Sequence, residues 1–145
     1  MTKAQIEMVQ ASFRHVMPLG ESAAKLFYQR LFELDETLKA LFTKDMVEQG
    51  NKLMQALGLA VVGLHRIEQV RPYLRTLGAR HVGYGVSVED YDTVERALLW
   101  ALGQTLGEEF TPELEAAWVE VHAIISAEMK AGAATDTTRE IQTRA

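Results

Sequence analysis

Apolar residues recur along this chain every three or four positions, with no stretch of alternating apolar and polar residues. Ile6, Val9, Phe13 and Val16 mark one helical stripe behind a candidate Thr2 cap, and Pro18 with Gly20 stops it. Ala23, Phe27, Leu31 and Leu34 carry a second helix that ends near Asp35, and a short helix from Glu36 to Phe42 leads into a polar connection. Leu53, Leu57, Val61 and Leu64 predict a further helix, apolar on most sides and therefore central and buried. After Ile67 and Pro72 a short helix carries Leu74, Leu77, Gly78 and His81. Ser87-Val88-Glu89-Asp90 reads as a capping box, with Asp in place of Glu. It opens a long helix bearing Tyr91, Val94, Leu98 and Leu102, which Gly107 ends. Thr111-Pro112 caps and starts the last helix, with Leu114, Trp118, Val121 and Ile125 inward and Gly132 as its stop. Gly58 and Gly63 permit close approach of another helix or a ligand. The fold class is all-α, with one domain over residues 1–131 and a polar, Thr-rich tail over 132–145 expected to be disordered.

Composition narrows the function. The 145 residues, 48% hydrophobic, suffice for one proper core. A formal net charge of −5 argues against a nucleic-acid partner, whose phosphates need a basic face. The absence of cysteine excludes disulfides, thiol chemistry, thiolate-bound zinc and thioether tethering of a cofactor. The longest apolar run, Leu53 to Leu64 interrupted by Gln55, is too short to span a bilayer, and Met1 to Val16 lacks the apolar centre of a signal peptide. No membrane partner and a cytoplasmic location are the expectation.

Most fixed-spacing chemistry is missing. None of His15, His65, His81 or His122 follows a Glu by three residues, no His-x-x-x-His occurs, and there is no Gly-x-Ser-x-Gly elbow or P-loop. What remains is His81, on the apolar stripe of its helix with no Asp or Glu within four residues. An inward imidazole needs a hydrogen-bond partner or a metal, since an unpaired buried polar group costs about 1–3 kcal/mol. Tyr28 lies near the inner face of the second helix, and Gln49 and Leu53 share a face one turn apart. Each is also an ordinary core or surface residue when taken alone. His122 reads as a packed histidine, and His15 and His65 as ordinary boundary residues.

Leu26-Phe27-Tyr28 with Leu31-Phe32, Leu41-Phe42, Lys52-Leu53-Met54, Leu77-Gly78-Ala79-Arg80-His81 with Tyr84-Gly85-Val86, and Phe110-Thr111-Pro112 with Trp118 together resemble the globin family. The likeness runs from about Thr2 to Ala131, nearest to bacterial single-domain globins, the globin part of flavohaemoglobins and neuroglobin-like proteins. It implies seven to eight helices around a pocket for haem b, bound non-covalently. In that scheme His81 is the proximal iron ligand, with its Nδ1–H on a carbonyl one turn back, such as that of Leu77, and Phe42 wedges the haem. Tyr28 and Gln49 form the distal polar pair beside the apolar wall of Leu53. Lys52 and Arg80 flank the propionates, while Leu57, Leu77, Tyr84, Val86, Tyr91 and Val94 line the pocket. No histidine occupies the Gln49 position, so five-coordinate ferrous iron is implied. Tyr91 matches a tyrosine that flavohaemoglobins pair with a late glutamate near the proximal histidine, but that position falls near Ala133, and His122 replaces an aromatic residue. The implied function is reversible binding of oxygen, carbon monoxide and nitric oxide. The rivals are nitric oxide dioxygenation with a separate reductase, for which this chain holds no motif, and a haem-free sensor module.

Overall fold

The computed structural model describes residues 1–144, with side chains described as far as Ala134. Its regular elements are all helices, and the described residues contain no strand. Helix α1 (Lys3–Val16) opens on a full capping box, in which Thr2 Oγ1 accepts from the Gln5 amide at 3.1 Å and Gln5 Oε1 accepts from the Thr2 amide at 2.9 Å. The chain then passes through a 3₁₀ turn at Met17–Leu19, where Pro18 fits the first positions, directly into α2 (Gly20–Leu34). Asp35 ends α2 and also caps the segment Glu36–Leu41, accepting from the Thr37 amide at 3.0 Å. That segment is a 3₁₀ helix.

Helix α3 (Met46–Val62) starts at Asp45, whose carboxylate accepts from the Val47 amide at 2.9 Å. It is not buried on all sides as its sequence predicts. Only Gly50, Leu57, Ala60 and Val61 are buried, while Leu59 is 56% and Val62 71% exposed, because α3 packs chiefly on α2 and α1 from one side. Helix α4 (Ile67–Gly83) is also longer than the short segment expected after Pro72. Pro72 sits inside it at the cost of one amide bond, and its carbonyl accepts from Thr76 Oγ1 at 3.0 Å. At the start of α5 (Asp90–Leu106) only half of the expected box forms: Asp90 accepts from the Ser87 amide at 2.8 Å, whereas the Asp90 amide goes to the Ser87 carbonyl. Gly107, at φ +59°, ends α5.

Thr111 Oγ1 accepts from the Leu114 amide at 3.2 Å and starts α6 (Pro112–Arg144). Gly132 does not stop this helix. A methyl group at Gly132 would overlap the Arg75 backbone of α4, and one at Gly78 of α4 would overlap the Met129 backbone of α6. Both glycines serve a close crossing of α4 and α6. The tail expected over 132–145 lies, from residue 135 onward, outside the described side chains.

Two apolar clusters form the core. In one, α1, α3, α5 and α6 meet around Trp118, fully buried, whose Nε1–H donates to Ser12 Oγ at 3.0 Å; Ser12 Oγ in turn donates to the Val9 carbonyl at 2.8 Å. The other joins Phe27, Tyr28 and Leu31 of α2 to Leu38, Ala97 and Ala101, and it carries most of the candidate residues.

Candidate functional site

His81 lies in the last turn of α4, half-buried. Its Nδ1 donates to the Leu77 carbonyl at 2.7 Å, so the partner demanded by its burial is the backbone one turn back. Burial pushes the imidazole below the ordinary histidine range, against a smaller upward pull from the Leu77 bond. The ring is therefore neutral near pH 7, with its proton on Nδ1 and a lone pair on Nε2. That is the form in which histidine ligates a transition metal. The chain then bends back: the Tyr84 amide bonds the Arg80 and His81 carbonyls, the Val86 amide bonds the His81 carbonyl at 3.1 Å, and Gly85 takes φ +90°. The Leu41 side chain packs against Gly85, which links the His81 end of α4 to the 3₁₀ helix before Phe42.

Leu41 belongs to the second apolar cluster, and Tyr28 lies within it, 7% exposed. Burial raises the pKa of the Tyr28 hydroxyl, and the nearby Gln49 side chain lowers it by less, so the phenol stays protonated. Phe42 meets Tyr28 edge-to-face at 5.2 Å between centroids and Phe32 at 5.5 Å. Gln49 is half-buried in the first turn of α3, and Leu53, one turn on, packs with Val94 against the same cluster. The fold thus gathers Tyr28, Gln49, Leu53, Phe42 and Val94.

The remaining candidates are placed less centrally. Leu57 is buried in the first cluster, Leu77 and Val86 are half-buried, and Arg80 is exposed. Lys52 is exposed and faces Glu48 at 3.8 Å, an ion pair of little energetic weight. Tyr84 is 61% exposed, its ring centroid 5.7 Å from that of His81. Tyr91 is buried, and with Val86 it lines a separate cleft of about 360 Å³, shared with Ala133 and Lys130. Of the other histidines, His122 is buried with Nδ1 3.1 Å from a Glu95 oxygen, whereas His15 pairs with Glu109 at 2.8 Å at the surface, and His65 faces Gln10 there at 2.9 Å. The sequence reading gives no site role to Leu41, Glu95 or Lys130, because the partner of each lies far along the chain.

The globin family model matches residues 25–129, a span that contains Tyr28, Phe42, Gln49 and His81. The chain is 29% identical to neuroglobin of Chaenocephalus aceratus over 87% of its own length and 88% of that protein. It is 25% identical to neuroglobin-1 of Oncorhynchus mykiss over 91% and 92%. With the flavohemoprotein of Oceanobacillus iheyensis it shares 26% identity over 86% of this chain, but only 31% of that longer protein. An all-helical chain whose half-buried histidine keeps Nε2 free, matched by this family model over most of its length, belongs to the globin family.

Proposed function

We propose that this chain binds haem b non-covalently through Nε2 of His81 and takes up oxygen, carbon monoxide and nitric oxide reversibly on the side of Tyr28 and Gln49. The observation that carries the reading is the Nδ1–H bond from His81 to Leu77, which leaves Nε2 as a neutral donor. Among the described residues no three His, Cys, Asp or Glu side chains converge, so a metal held by His81 brings most of its ligands with it, as a macrocycle does. The aromatic and aliphatic residues around Phe42 and Leu53 suit the apolar faces of such a group.

Haem iron, when bound, supplies an open coordination position that holds a diatomic gas and shifts electron density onto it. The Tyr28 hydroxyl and the Gln49 amide offer donors to that density, together worth about 1–3 kcal/mol, while Leu53 keeps water away. Phe42 wedges the macrocycle, and Lys52 and Arg80 serve its carboxylates from the exposed rim. Reversible binding is preferred over nitric oxide dioxygenation with a separate reductase, because Ala133, not a carboxylate, lies in the cleft beside Tyr91. Titrating the purified protein with haemin, then reducing it and adding carbon monoxide, tests the reading. We expect one haem per chain, a five-coordinate ferrous spectrum and a gas-induced shift. Failure to take up haemin would leave a haem-free sensor module.

A further inference from the structure

The cleft of about 360 Å³ between the end of α4, the start of α5 and α6 is lined by Val82, Val86, Val88, Tyr91, Lys130 and two alanines, Ala133 and Ala134. Its walls are aliphatic except for two groups. The Lys130 ammonium sits 5.2 Å from the Tyr91 ring centroid, and among the described residues no carboxylate lies within ion-pairing distance of it. Glu95, on α5, is committed to His122 instead. The Tyr91 hydroxyl makes no hydrogen bond among the described residues, and burial keeps it protonated. A cation and a phenol donor, both without an acceptor, therefore border an apolar space of the size that takes small organic ligands.

We infer that this cleft binds a medium-chain carboxylate, its head group on Lys130 and Tyr91 and its alkyl chain against Val82, Val86 and Val88. A carboxylate supplies the acceptor that both polar groups lack among the described residues, and the valines account for an alkyl tail in place of a small inorganic anion. The site is distinct from the cluster around Tyr28, and it borders the His81 end of α4, where the Val86 amide bonds the His81 carbonyl.

Calorimetric titration of the haem-loaded protein with octanoate tests this, with octanol and phosphatidylcholine vesicles as parallel titrants. We expect saturable binding of octanoate and none of octanol or vesicles at the same concentrations. Lys130→Met, which keeps the alkyl stem, should weaken octanoate about tenfold, the usual worth of a charge-assisted hydrogen bond. Lys130→Arg should restore it, and Ala133→Phe should block it by filling the cleft. Thermal unfolding of each variant checks that the fold is kept, and valine methyl shifts on octanoate addition locate the site in any variant too unstable for calorimetry. Equal affinity of wild type and Lys130→Met, equal binding of octanol, binding of vesicles alone, or no octanoate binding would each overturn the proposal.

Discussion

Gly78 of α4 lies directly against the backbone of Met129 in α6, with no room for even a methyl group between them. This contact, repeated one helical step away where Gly132 meets Arg75, seats α4 flush on α6. Leu77 and His81 lie on the adjoining face of α4, so this crossing positions the helix that carries the imidazole, while the Leu77 carbonyl holds the ring itself.

Gly78→Ala should therefore be far more costly than its propensity suggests. An alanine would gain helix propensity, yet it forces the helices apart, and we expect a loss of about 3 kcal/mol or more. Gly58→Ala is the control: its new methyl would meet Phe13 at 3.5 Å, ordinary contact, so it should stabilise by about 0.5–1 kcal/mol. Urea unfolding of the two variants measures the contrast.

His81→Ala should abolish haemin uptake while leaving the helical circular dichroism intact, because the side chain is only half-buried at the end of its helix. Added imidazole should restore part of the visible spectrum. Unchanged colour and gas binding in the variant would remove His81 from the site.

Tyr28→Phe keeps the edge-to-face contact with Phe42 and deletes only the hydroxyl that meets Gln49. Loss of a donor worth about 1–3 kcal/mol should speed oxygen dissociation roughly tenfold or more, read by stopped flow. An unaltered off-rate would exclude Tyr28 as a donor.

Stability should fall on mild acidification, and His122 supplies part of the reason. Burial lowers its pKa, and the opposing pull of Glu95 does not fully restore it. The unfolded chain then binds the extra proton more readily than the folded one. The contribution is fully present above the ordinary histidine value of about 6.5 and is lost as pH falls through that value toward the lower folded one. Denaturant midpoints measured from pH 8 to about pH 5 should show this slope. His122→Gln, which keeps a donor for Glu95, should flatten it.

Local rules made much of the architecture legible. Thr2 with Gln5, Asp35, Asp45 and Thr111 are capping residues whose partners lie two or three positions away, and the chain alone specifies such contacts. The His81 bond to the Leu77 carbonyl is equally short in range, but in the sequence it is only what the globin resemblance implies. The readings that needed correction depended on what packs alongside. Gly132 reads as a stop until α4 is seen crossing there, and α3 reads as central until its outer face, with Leu59 and Val62, is found exposed.

The chain by itself determined that it folds into helices and where α1, α5 and α6 begin, because each follows from contacts within a turn or two. Only the tertiary structure decided that Tyr28 meets Gln49 and Phe42, that Leu41 closes on Gly85, and that Lys130 covers Tyr91. Those pairs are brought together by the crossing of helices, and crossing depends on side-chain volumes summed over whole faces, which no short stretch of sequence records.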